Sequence, residues 1–244
     1  MQKQTVLYII IALLLGFISG FMLANSLNRS DYTPATSGMP SNSLQPAAGA
    51  PLEPALSPEE IRAKVAEADK NPDNFAFQKD LGLSLYRYGA MTQNVDVLNE
   101  AKRLLDRART LNPRDFDVVV GLGNAEFDIG FYKKDLASFE QARGTYIKAL
   151  DLQPGDSDVQ TDIGISYFVQ DPPDYAKAET ELKKVTARDP LHKRSMQFLV
   201  QVYTRQKRIP EARAMLDKLR GIDPSNPALK ELDSLITAAG NSAS

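Results

Sequence analysis

His192 is the only histidine in a chain of 244 residues that holds no cysteine and no tryptophan. Without cysteine there is no thiol nucleophile, no disulfide, no thiolate metal site and no point of lipid attachment. A single imidazole with no Ser-His-Asp or Cys-His set around it leaves no nucleophilic relay to assemble, so His192 reads as a capping or surface residue. The other concentration of reactive side chains is Asp156, Asp158 and Asp162, whose oxygens are of the type that ligates a hard cation. Acidic residues at a helix start also complement the helix dipole, and that is the reading adopted. Asp171-Pro-Pro-Asp174 is turn chemistry between two helices. The expectation is a protein that is not an enzyme and holds no metal and no cofactor. With 29 basic and 31 acidic residues the net charge is −2, which gives no overall basic surplus for nucleic acid.

What positions these residues is an internal repeat. Leu81-Gly82, Leu122-Gly123 and Ile163-Gly164 recur 41 residues apart, the first thing to look for in a chain of this kind. Each precedes a second landmark: Ala-Arg-Thr-Leu-Asn-Pro113, Ala-Leu-Asp-Leu-Gln-Pro154 and Thr-Ala-Arg-Asp-Pro190, followed by Lys-Leu-Arg-Gly-Ile-Asp-Pro224. Between the landmarks apolar residues follow three-and-four spacing, so each unit is a pair of amphipathic helices. Gly82, Gly123 and Gly164 let the second helix approach closely, and each proline marks the turn into the next unit.

The pattern resembles the tetratricopeptide repeat. Repeat 1 (75–115) matches at Leu81, Gly82, Gly89, Ala101, Ala108 and Pro113, with Gln78 at the position of an aromatic. Repeat 2 (116–156) matches at Leu122, Gly123, Gly130, Ala142, Tyr146, Ala149 and Pro154. Repeat 3 (157–192) supplies Gly164, Tyr167, Ala178 and Pro190, with Val185 replacing a small residue. Repeat 4 (193–226) offers Leu199, Tyr203, Ala212 and Pro224, with Val200 where glycine is expected. Repeats 1 and 2 carry seven extra residues each, Gly89 to Ala101 and Gly130 to Ala142, read as longer helices or loops on one edge. A leading helix (58–74) capped by Ser57 and Glu60, and a closing helix (227–239) capped by Asn226, seal the ends of the stack; residues 240–244 are read as a disordered tail. The resemblance implies an all-α, right-handed superhelical stack of helix pairs.

It also implies a groove formed by the first helices. The family's groove positions fall on Lys79, Leu83 and Tyr86, on Val120, Asn124 and Phe127, on Thr161, Ile165 and Phe168, and on Gln197 and Gln201. Tyr86, Phe127 and Phe168 form an aromatic row at the repeat interval, open to two readings: contact with an extended peptide, or packing between repeats. The family's carboxylate clamp keeps Lys79 here, but Leu83 replaces its asparagine and no basic residue follows at Thr161, so that clamp is not expected.

Ahead of the repeats, residues 5–24 form a run of twenty without a charge, long enough as a helix to cross a bilayer core of about 30 Å. The run is longer than a signal peptide's apolar region, and Met22 spoils a small-x-small cleavage pattern, so residues 1–25 read as a short cytoplasmic head with one uncleaved transmembrane helix. Ala12, Gly16, Gly20 and Ala24 make a small-residue ladder suited to pairing with another helix. Residues 26–57, rich in Pro, Ser and Ala, read as a flexible linker. The expected protein is a single-pass bacterial inner-membrane protein with its repeats in the periplasm, binding a protein or peptide and no nucleic acid. In layout it is similar to accessory subunits of cytochrome c maturation and to envelope chaperone partners. The alternative is an architectural subunit of a stable envelope complex.

Overall fold

The computed structural model describes residues 57–241; the expected anchor, its small-residue ladder and most of the linker lie outside the described residues. Ten α-helices account for the described chain: α1 Pro58–Lys70, α2 Phe75–Thr92, α3 Val95–Leu111, α4 Phe116–Lys133, α5 Leu136–Leu152, α6 Ser157–Val169, α7 Tyr175–Arg188, α8 Lys193–Arg205, α9 Ile209–Ile222 and α10 Leu229–Asn241. Among them no helix is long and apolar enough to cross a membrane.

Side-chain caps set where the helices begin. Ser57 and Glu60 form a reciprocal capping box on α1, and Asn74, Asn94, Asp115, Asp135, Asp156, Asp174 and His192 cap α2 to α8 in turn by accepting from first-turn amides. Each cap satisfies one or two of the amide donors that a helix start leaves without a partner. The expected closing helix starts two residues later than its proline. Asn226 Oδ1 accepts from Ala228 N, which holds Pro227 and Ala228 in a turn, and α10 then continues through Gly240 to Asn241, into the stretch expected to be tail.

Helices pair in sequence, α2 with α3, α4 with α5, α6 with α7 and α8 with α9, and each pair stacks on the next through its second helix. The extra residues of repeats 1 and 2 lengthen the helices instead of forming loops: α2 and α4 have 18 residues and α3 and α5 have 17, against 13 and 14 in the last two pairs. The glycines mark the closest approach within a pair. A β-carbon on Gly82 would lie 2.8 Å from Leu105 Cγ, on Gly123 2.7 Å from Tyr146 Cε1 and on Gly164 2.8 Å from Leu182 Cγ. In repeat 4 Val200 takes this place and is fully buried. One continuous core runs from Val119 through Leu199 to Ile236, and α10 closes it with Leu232 and Ile236.

Candidate functional site

The first helices of repeats 2, 3 and 4 are enclosed on nearly every side. On α4 every residue from Gly121 to Gly130 is buried, on α6 Val159 to Ser166, and on α8 Ser195 to Thr204. A periodic apolar stripe would bury only one side; here each helix is flanked by the first helices before and after it and by two second helices. Polar residues therefore enter the interior, and each must find a partner there.

Most of the expected groove residues have such partners. Lys79 Nζ bridges Asp115 at 2.9 Å and Asp117 at 3.0 Å. Burial alone would lower its pKa, but the two carboxylates outweigh that and hold the ammonium above its usual value. Leu83 packs over Gly121, where a β-carbon would meet Leu83 Cδ2 at 2.5 Å. Tyr86 is partly buried against the core of repeat 1. Asn124 Oδ1 accepts from the Tyr146 hydroxyl at 2.8 Å. Thr161 is fully buried and its hydroxyl donates to Ser157 O, while Ile165 lies in the core beside it. The aromatic row is engaged in packing: Phe127 meets Phe139 edge-on with ring centres 5.4 Å apart, and Phe168 meets Tyr175 and, on the next first helix, Phe198, both at 5.7 Å.

The polar line that remains lies on α8. Arg194 faces α6, pairing with Asp162 and lying 3.8 Å from Asp158. Gln197 Nε2 faces the other way, donating to Asn226 Oδ1 at 2.9 Å before α10. Gln201, one turn further, is 3% exposed. Among the described residues four buried side-chain atoms have no hydrogen-bond partner, and three of them are on this helix: Arg194 Nε, Arg194 Nη1 and Gln201 Nε2. All three are donors, on residues seven apart and so on one face, about 10 Å from end to end.

The aspartate trio does not converge on a cation. Asp156 Oδ1 accepts from Val159 N at 2.7 Å as a helix cap, and Asp158 and Asp162 face Arg194. Among the described residues no group of three His, Cys, Asp or Glu side chains is placed to hold a metal. His192 is a cap, its Nδ1 accepting from Ser195 N at 3.2 Å. Glu126, Asp128 and Arg143 are buried ionisable groups that escaped the sequence reading. Glu126 on α4 accepts from the Thr145 hydroxyl at 2.7 Å, and burial pushes its carboxyl above the usual range. Arg143 on α5 stacks on the Tyr167 ring at 4.2 Å and donates to Ser166 and Gln170, and burial lowers its pKa.

The comparisons agree with this geometry. The tetratricopeptide repeat family model matches residues 174–236. The structure is similar to that of TTC0263, a thermophilic TPR protein in Thermus thermophilus, at 18% identity over 73% of this chain and 89% of that one, with a TM-score of 0.54. It is also similar to MamA protein, at 19% identity over 68% of this chain and 81% of that one, with a TM-score of 0.53. Identities this low speak for the fold alone. No match was found among curated proteins. Residues 174–236 thus match the tetratricopeptide repeat model, and the described array as a whole is similar in fold to solved tetratricopeptide repeat structures.

Proposed function

We propose that the protein is a membrane-tethered holder of polypeptides, whose inner face along α4, α6 and α8 takes an extended segment of a partner. Tetratricopeptide repeats mediate protein–protein contacts, and the observation that carries the reading here is the set of unpartnered donors on α8. A buried donor without an acceptor costs about 1–3 kcal/mol, and an extended backbone offers carbonyls on one side about every 7 Å. Gln201 Nε2 suits one such carbonyl, with the Arg194 guanidinium further along the same face of α8. The apolar run 5–24 is the tether, the repeats face the periplasm, and the linker lets them search near the membrane. The setting that this layout resembles is cytochrome c maturation or envelope assembly.

The test is a photo-crosslinking amino acid placed at the partly buried groove positions Tyr86 or Val120 of the full chain in membranes, with Glu59 on the exposed face of α1 as control. Adducts with one envelope polypeptide from the inner positions and none from the control support the holder. Equal labelling from all three positions, or none, overturns it. One complex recovered in fixed stoichiometry, with inner-face substitutions making no difference, would point instead to an architectural subunit.

A further inference from the structure

Charge is segregated along the array. Residues 115–174 hold 12 acidic and 4 basic residues, whereas residues 175–222 hold 5 acidic and 12 basic. The boundary falls between α6 and α7. Earlier in the chain cations are engaged in bridges: Arg103 and Arg107 on α3 both reach Asp69 on α1. In the basic block some are too, such as Arg208 with Glu179 and Glu211. Arg205, Lys207, Arg213 and Lys218, however, make no ion pair with any described residue, nor do Glu140 and Asp151 on α5.

The outer faces of the second helices carry these charges beside low, partly apolar ridges. On α5 the exposed residues Glu140, Gly144, Ile147 and Asp151 follow helical spacing along one face. Ile147 is 54% exposed, and a β-carbon on Gly144 would meet nothing within 4 Å. On α9 the exposed residues Arg213, Ala214, Asp217, Lys218 and Gly221 make the corresponding ridge, with Asp217 at the place of Ile147, and Gly221 is equally open. The α5 ridge carries the unpaired carboxylates Glu140 and Asp151 beside Lys148, and the α9 ridge the unpaired cations Arg213 and Lys218, its Glu211 and Asp217 being held by Arg208 and Arg220.

We infer that this outer face is where a second copy of the chain docks, α5 of one copy against α9 of the other about a two-fold axis near the α6–α7 boundary. That arrangement is self-complementary and closes as a dimer, because Glu140 and Asp151 of each copy meet Arg213 and Lys218 of the other and both contacts form together. The occupant is a second copy because the complement of each block lies on the same chain in nearly equal amount. An anionic lipid surface would attract the basic block but repel the acidic one beside it. The contact does not involve the inner face of α8, so it stands or falls separately from peptide holding.

The experiment is sedimentation of the full chain in a non-ionic detergent at about 0.05 M and about 0.5 M salt, a range that shortens the Debye length severalfold. Three variants are compared: Arg213→Glu with Lys218→Glu, Glu140→Lys with Asp151→Lys, and Gly16→Leu with Gly20→Leu. The wild type is expected to be a dimer at low salt and to weaken at high salt. Each charge-reversed variant alone is expected to associate at least about tenfold less tightly, and an equimolar mixture of the two is expected to recover the dimer, since both contacts are complementary again. Ile147→Asn gives a variant that loses the apolar ridge without changing the charge of a block, and it too is expected to associate more weakly. A wild-type monomer at both salts, a dimer indifferent to the charge reversals, a dimer abolished only by the Gly16 and Gly20 replacements, or binding to anionic vesicles without dimerisation would overturn the inference.

Discussion

The Tyr146 ring lies against Gly123 so closely that a β-carbon on the glycine would stand 2.7 Å from Cε1, while the tyrosine hydroxyl donates to Asn124 one residue further on. A family packing position and an expected groove residue are thus joined through one side chain. The same contact in repeats 1 and 3 is made by Leu105 and Leu182, which can turn away more cheaply than a ring held at its far end.

Gly123→Ala should therefore destabilise the array by roughly 1–3 kcal/mol, the usual cost of overpacking. The gain in helix propensity of about 1 kcal/mol works against this and does not reverse it. Gly144→Ala, on the open face of α5, should stabilise by about 0.5–1 kcal/mol because nothing opposes the gain. Urea midpoints of the two variants moving in opposite directions are the expected result. A stabilised Gly123→Ala would mean that the α4–α5 pair yields more readily than the Tyr146 ring and its hydrogen bond imply.

Glu126 makes stability depend on pH. Its folded pKa lies above the unfolded value because of burial, so the folded state binds the proton more tightly than the unfolded one. The contribution is fully favourable below the unfolded pKa and is lost as pH rises through the folded value. Glu126→Gln, which can still accept from Thr145, should flatten that loss. The variant is expected to gain on the wild type in urea unfolding as pH rises from the ordinary carboxylate range through the raised folded value. Parallel profiles would show that Lys102, 3.9 Å away, offsets the burial.

Much of the array was legible in the sequence because its cause is local. Glycine at the close approach, small residues along the second helix and proline at the exit each act within one helix pair, and the interval of 41 repeated the glycines and the first two prolines in phase. Whether the additional residues of repeats 1 and 2 lengthened helices or loops was not legible, since Tyr86 to Gly89 and Val97 to Ala101 satisfy either reading until both helices are seen to continue. The inner face was less legible still. Phe127 and Phe168 hold the family's groove positions, yet enclosure by neighbouring helices makes them core, and enclosure belongs to the stack as a whole. One signal was available. Arg103 reaches Asp69, Lys79 reaches Asp115 and Arg194 reaches Asp162, partners separated by about one repeat length, so opposite charges at such an offset mark bridges between successive units.

The Arg194–Asp162 bridge tests that rule. Both side chains are largely withdrawn from water, at 15% and 7% exposure. Removing one partner of such a pair typically costs about 3 kcal/mol, and Arg194→Ala should lose about that much. Arg194→Met combined with Asp162→Asn should recover most of the loss, because neither residue then brings a charge into the α6–α8 interface. A double variant as unstable as the single one would show that Asp162 is held chiefly by other contacts.

His192 caps α8 through one nitrogen and lies 3.4 Å from Asp158 Oδ1 through the other, Nε2, and the cap is expected to carry its contribution. Its Nδ1 accepts from Ser195 N, a function that asparagine or aspartate performs well. His192→Asn should leave the thermal midpoint nearly unchanged, and His192→Ala should cost about 1 kcal/mol. An asparagine variant as damaged as the alanine one would show that the Nε2 contact with Asp158 outweighs the cap.

Gln201 separates the cost of an open site from its use. Its Nε2 is buried and unpartnered, so in the isolated array the amide is a liability of about 1 kcal/mol or more. Leucine has nearly the same shape and no donor. Gln201→Leu should raise the unfolding midpoint and, if the donor serves a bound polypeptide, abolish the inner-face crosslinks in the same variant. A merely structural glutamine would lose stability on replacement, and a bystander would gain stability with crosslinking intact. Only a donor kept for a partner shows both a more stable fold and a lost contact, because the energy that leucine recovers in the free array is the energy that the partner's carbonyl supplies in the complex.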